Sequence, residues 1–90
     1  MTNDKRRALI LARAVIQVGR EHLICLALED VAYHNPELRK ACSELENYIL
    51  CKLQGYSTLG FWQASRGIDS PTAGRIDRIN WISWMLGELT

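Results

Sequence analysis

Ninety residues hold one hydrophobic core and exclude a second domain. With 48% hydrophobic and 23% charged residues, the chain reads as globular rather than disordered. A formal charge of +1 argues against a general nucleic-acid binder, which carries a clear basic excess.

The cations are unevenly chosen, eight Arg against three Lys. Arg offers a planar fork for carboxylates, phosphates and aromatic faces that Lys lacks; genome bias explains the same excess. The basic opening MTNDKRRA leads into an apolar run interrupted by Arg13, which predicts no secretory leader. No apolar stretch approaches a membrane span. Cys25, Cys42 and Cys51 are an odd number without CxxC spacing, the pattern of buried thiols in a reducing cytoplasm. A chain this short has a thin stability margin, for which oligomerisation is a common remedy.

The chain reads as helices from end to end, punctuated by glycine and proline. A first helix is expected from about Asn3 or Asp4 to Val18, capped by Thr2 or Asn3. Ala8, Leu11, Ala12, Val15 and Ile16 share its inward face. Beyond Gly19, which weakens or bends the path, a second helix is expected over Arg20 to Tyr33. It is apolar on most sides and so central. The tetrapeptide HNPE stops it and starts a third helix, with Asn35 as cap and Pro36 at the first helical position. Leu38, Ala41, Cys42, Leu45, Tyr48 or Ile49, and Leu53 form the stripe of that helix, and Gly55 closes it. Helices two and three should pair antiparallel. A short fourth helix is expected in STLGFWQASRG, capped by Ser57 or Thr58 and ended by Gly67. A fifth is expected from Pro71 or Thr72 to Leu89, capped by Ser70 or Thr72. The predicted fold is all-α, a compact bundle of four to five short helices in one domain, residues 1–90.

On a helical wheel, Ile79, Ile82, Leu86 and Leu89 make the core face of the fifth helix, with Met85 on its shoulder. Trp81 falls roughly 120° from the centre of that face, and Trp84 nearly opposite it, beside Asp77, Asn80 and Glu88. Three readings of the two tryptophans stay open: cover by the fourth helix with Phe61 and Trp62, self-association, or a site for an outside partner. Arg78 precedes Trp81 by one turn on the same side, in reach of a cation–π contact. Arg75 lines up with the core seam and reaches solvent only because it sits in the first turn.

Tests for chemistry return little. His22 and Cys25 are one turn apart, but two ligands are no zinc site, and His34 is about three turns away. The reading is a partly exposed His22, a buried Cys25 and no metal or cofactor. Glu29/Asp30 and Glu44/Glu46 do not face one another as an acid/base pair would. No local motif assembles a nucleophile, a base and an orienting group, so the chain reads as a non-enzyme. Gly55, Gly60, Gly67 and Gly74 match no phosphate loop. TLGFWQASRGIDSPTAGRIDRI resembles a helix-turn-helix, with Gly67 and Ile68 in the turn and Thr72, Arg75 and Arg78 toward DNA. Bulky Phe61 and Trp62, a long turn and the balanced charge count against it.

Three segments carry a family resemblance: Ile24, Cys25, Ala27 and Leu28; then Thr58, Leu59 and Trp62; then Arg78, Trp81, Trp84 and Met85. In that order they resemble small uncharacterised helical proteins of tailed bacteriophages, over about residues 20 to 90. The resemblance implies an accessory factor made in the cytoplasm of a bacterial host, acting by binding, with no catalytic residues to carry over. The expected function is stoichiometric inhibition of a host or anti-phage defence protein. The expected surface is Trp84, Trp81, Arg78, Arg75, Trp62 and Tyr56. The alternatives are an oligomeric sponge for a signalling nucleotide, its arginines forked onto phosphates, and a helix-turn-helix DNA binder.

Overall fold

A computed structural model describes residues 1–55 and 74–88, with side chains over 1–49 and 74–88. The elements are α1 (Asn3–Gln17), α2 (Ile24–His34), a 3-10 turn (Pro36–Leu38), α3 (Arg39–Gly55) and α4 (Arg75–Met85). Every element is helical, and the described residues include no strand, so the fold is a small all-α bundle.

Thr2 starts α1: its backbone is extended and its Oγ1 accepts from the Lys5 amide at 3.2 Å. That satisfies one of the amides a helix start leaves unpaired. The helix ends in a Schellman turn. Gly19, at φ +80°, donates to the Ile16 carbonyl at 3.1 Å, and Arg20 donates to the Val15 carbonyl at 3.1 Å. Arg20 therefore belongs to the exit of α1 and cannot open the next helix. This corrects the expected start of α2 by four residues, to Ile24. Leu23 is extended there, and its carbonyl accepts the first helical bond from Ala27 at 2.9 Å.

Asn35 works at the end of α2 rather than at the start of the next helix, where it makes no side-chain cap. Its amide and its Nδ2 both donate to the Val31 carbonyl, at 2.8 and 3.0 Å. Its backbone is non-helical, as Pro36 behind it requires. Leu38, Ala41, Cys42, Leu45 and Ile49 then turn inward as the stripe predicts, while Tyr48 stays partly outside.

The core joins these residues to Ala8, Leu9, Ala12, Val15 and Ile16 of α1 and to Ile24, Ala27, Leu28 and Val31 of α2. From α4 it takes Trp81, Ile82 and Leu86. The central element is α1, packed against α2, α3 and α4. The expectation that helix two is central is corrected: Leu26 and Tyr33 of α2 face solvent. An apolar sequence does not bury a helix all round when, as here, its neighbours leave part of its surface uncovered. The short fourth helix expected in STLGFWQASRG lies outside the described residues.

Candidate functional site

The fifth predicted helix is α4, shorter at the C-terminal end than its periodicity suggested. Gly87, at φ +80°, donates to the Trp84 carbonyl at 3.0 Å, and Glu88 donates to the Ser83 carbonyl at 2.9 Å. This second Schellman turn stops the helix at Met85; Leu89, expected on the seam, lies outside the described residues. At the other end, the extended Gly74 holds the cap position expected of Ser70 or Thr72, with no side-chain bond.

The inward face of α4 is also rotated, by roughly 60° on a wheel of 100° per residue, toward Trp81. Its wholly buried positions are Arg78, Trp81 and Ile82, and Leu86 follows after the last turn. Ile79 is only partly buried and Ile76 is 72% exposed. The expectation that Trp81 stands off the core seam is corrected: its relative exposure is 0%. The indole carries more apolar area than any isoleucine on the helix, so turning it inward wins over a uniform aliphatic seam.

Arg78 follows Trp81 inward, one turn earlier on the same side, and is also 0% exposed. The expected cation–π partner is replaced by a histidine. Nη1 of Arg78 donates to Nε2 of His22 at 2.9 Å, across 56 residues of sequence. Burying a guanidinium costs desolvation that acceptors must offset, and the His22 ring supplies one of them. In the sequence His22 reads as a partly exposed residue and an incomplete metal ligand, and no local signal points to this role. The Trp81 Nε1 has no acceptor among the described residues.

The six residues of the expected surface are thus dispersed. Trp81 and Arg78 lie inside. Trp84 is partly buried and packs against the core. Arg75 is exposed, reversing the order expected for the two arginines. A Cβ added at Gly19 would stand 3.5 Å from its guanidinium. Tyr56 and Trp62 lie outside the described residues.

Other cations are spent within the chain. Arg13 bonds Ser83 at 2.9 Å and forms a close ion pair with Glu88. Arg6 donates to the Leu86 carbonyl at 3.2 Å, at the negative end of α4. Arg20 pairs with Asp30 at 2.9 Å, and Arg7 lies 3.7 Å from Glu37. The hydrogen bond from Arg13 holds the Glu88 carboxyl below its ordinary value.

Cys25 is half-buried, which corrects the expected buried thiol, while Cys42 is enclosed and burial pushes its pKa up to about 11. A cleft of about 240 Å³ is lined by Met1, Lys5, Glu44, Leu45, Tyr48 and Met85, with Lys5 and Glu44 paired at 3.1 Å. Among the described residues no three His, Cys, Asp or Glu side chains gather as for a metal, and no helix is long and apolar enough to cross a membrane. Comparison with protein-family models, curated proteins and solved structures finds no match.

Proposed function

We propose that this protein is a non-catalytic phage accessory factor that binds stoichiometrically to a host or anti-phage defence protein in the bacterial cytoplasm. The observation that carries the reading is the first turn of α4. Ile76, 72% exposed, stands next to the exposed Arg75, on a helix whose remaining positions are all at least partly covered. Arginine is among the residue types enriched at protein interfaces, and an exposed isoleucine beside it adds apolar area that a partner could cover. The docking surface is therefore Arg75 and Ile76, and Trp84, about two and a half turns further along α4, is left out of it. Trp81 and Arg78 are withdrawn from it because they are interior.

The nucleotide-sponge and DNA-binding readings need guanidinium forks facing outward. Arg6, Arg7, Arg13, Arg20 and Arg78 already donate to or pair with groups of their own chain, which favours protein binding. The test is a host-lysate pull-down with the native chain and with an Arg75→Ala, Ile76→Asp double variant. Both substitutions are at exposed positions, so the thermal midpoint should shift by no more than about 4 °C. The native chain should retain one host protein in a fixed ratio and the double variant should lose it. Equal retention by both removes this turn as the site.

A further inference from the structure

We propose that the exit of α1 and the first turn of α4 together form a two-fold contact with a second copy of this chain. Two placements define the patch. A Cβ added at Gly19 would stand 3.5 Å from the Arg75 guanidinium, and Nη1 of Arg78 lies 2.9 Å from Nε2 of His22. The link from Gly19 to His22 thus runs alongside the start of α4. Val18, just before that link, is 71% exposed, and Ile76, just after Arg75, is 72% exposed. Among the described large apolar side chains only Tyr33 is more exposed. Two of the three most exposed apolar groups therefore flank one junction.

The charges there select the occupant. Arg20 is committed to Asp30 at 2.9 Å and Arg78 to His22, and Asp77 also has a contact within the chain. Arg75, exposed, and Glu21, half-exposed, are left. Among the described residues neither of them forms an ion pair. One unmatched cation and one unmatched anion beside two aliphatic side chains make a patch complementary to itself. In a two-fold contact, residue i meets residue j while j meets i. Arg75 of each copy then meets Glu21 of the other, around Val18 and Ile76.

The outer face of α2 is the rival surface and fails the same criterion. Leu26 and Tyr33 lie there on either side of Glu29, which is exposed and has no ion pair among the described residues. A two-fold contact on that face sets Glu29 against Glu29, and like charges across an interface cost free energy. The patch beside Gly19 is small, so its dimer belongs to the transient class, below about 1,200 Å² in total. A host protein that docks on Arg75 and Ile76 takes the place of the second copy. The dimer itself does not depend on that docking.

The experiment is sedimentation equilibrium at low salt, from about 10 μM to about 1 mM protein, where a weak dimer populates both states. Five chains are compared: native, Arg75→Glu, Glu21→Arg, the double reversal of both, and Ile76→Asp. The native average mass should rise toward twice the monomer mass. Each single reversal turns two attractions into two repulsions and should weaken dimerisation about tenfold. The double reversal should recover the native affinity, because the pair re-forms with its signs exchanged. Ile76→Asp should stay monomeric; Val18→Asp replaces it if its thermal midpoint shows that it does not fold.

A native chain that stays monomeric throughout overturns the contact. So does a double reversal no tighter than the singles, and so does a mass that grows past the dimer, which marks a head-to-tail contact. Should a reversal variant fail to fold, salt decides. The native dimer should weaken between about 50 and about 500 mM salt, and indifference to salt overturns the pairing. Capture of a host protein is a separate readout: a monomeric native chain that still retains it overturns the dimer and leaves the docking surface standing.

Discussion

Trp81 and Trp84 stand three residues apart on one helix and do different work. Trp81 is enclosed; Trp84 packs against the core with part of its surface outside. Truncating a fully buried tryptophan removes both its transfer free energy and the packing around it, a loss of about 3–5 kcal/mol. Urea unfolding of Trp81→Ala should show a loss of that size, or no folded state at all in so small a domain. Trp84→Ala should lose no more than about half as much, since only part of its area leaves water on folding. Equal losses would mean that α4 does not present the face described here. Neither tryptophan's fate was readable from spacing alone. Three residues apart, both fit one stripe or its edges, and the side that faces inward depends on what the neighbouring helices offer.

Helix ends are decided by elements of a few residues. Gly19 and Gly87 both adopt φ +80° and both close Schellman turns. A Cβ at Gly87 would meet nothing within 4 Å, and one at Gly19 would make an ordinary contact with the Arg75 guanidinium at 3.5 Å. Space is not the obstacle at either position; the left-handed backbone is, at roughly 1–2 kcal/mol for a residue with a side chain. Gly19→Ala and Gly87→Ala should therefore destabilise by similar amounts in chemical denaturation. A far larger loss at Gly19 would show that packing, not backbone, governs that turn. Here the sequence was informative in part. The Thr2 cap and the stop at HNPE follow from local chemistry. Gly19 marks a weak point in the sequence, but the displaced start of α2 has no local sign, because it depends on the Arg20 amide being committed to the Val15 carbonyl.

At the scale of the molecule, α1 and the end of α4 are tied by polar contacts across the chain: Arg13 to Ser83 and Glu88, and Arg6 to the Leu86 carbonyl. The Glu88 carboxyl is held below its ordinary value, first by the hydrogen bond from Arg13 and then by the charges of Arg13 and Arg6. A carboxyl with a depressed folded value binds protons less readily folded than unfolded. Its contribution to stability is thus fully present above the unfolded value and is lost as pH falls through the folded one. Thermal midpoints from about pH 6 to about pH 3 should fall less steeply for Glu88→Gln than for the native chain. The difference should shrink in high salt, because the pair lies at the surface. Matching acid limbs would mean that the tie does not persist in solution.

The sequence by itself determined what repeats locally. An all-α bundle, the extent of α1, the inward stripe of α3 and the stop before Pro36 all follow from residue spacing and capping chemistry within a few positions of each other. Only the tertiary structure decided which helix is central, how α4 is turned, and that a charged residue enters the core. The physical reason is that a wheel ranks positions by their own hydrophobicity. The burial of Arg78 depends on a histidine acceptor 56 residues away, and that of Trp81 on the area its indole removes from water against neighbours no local pattern specifies.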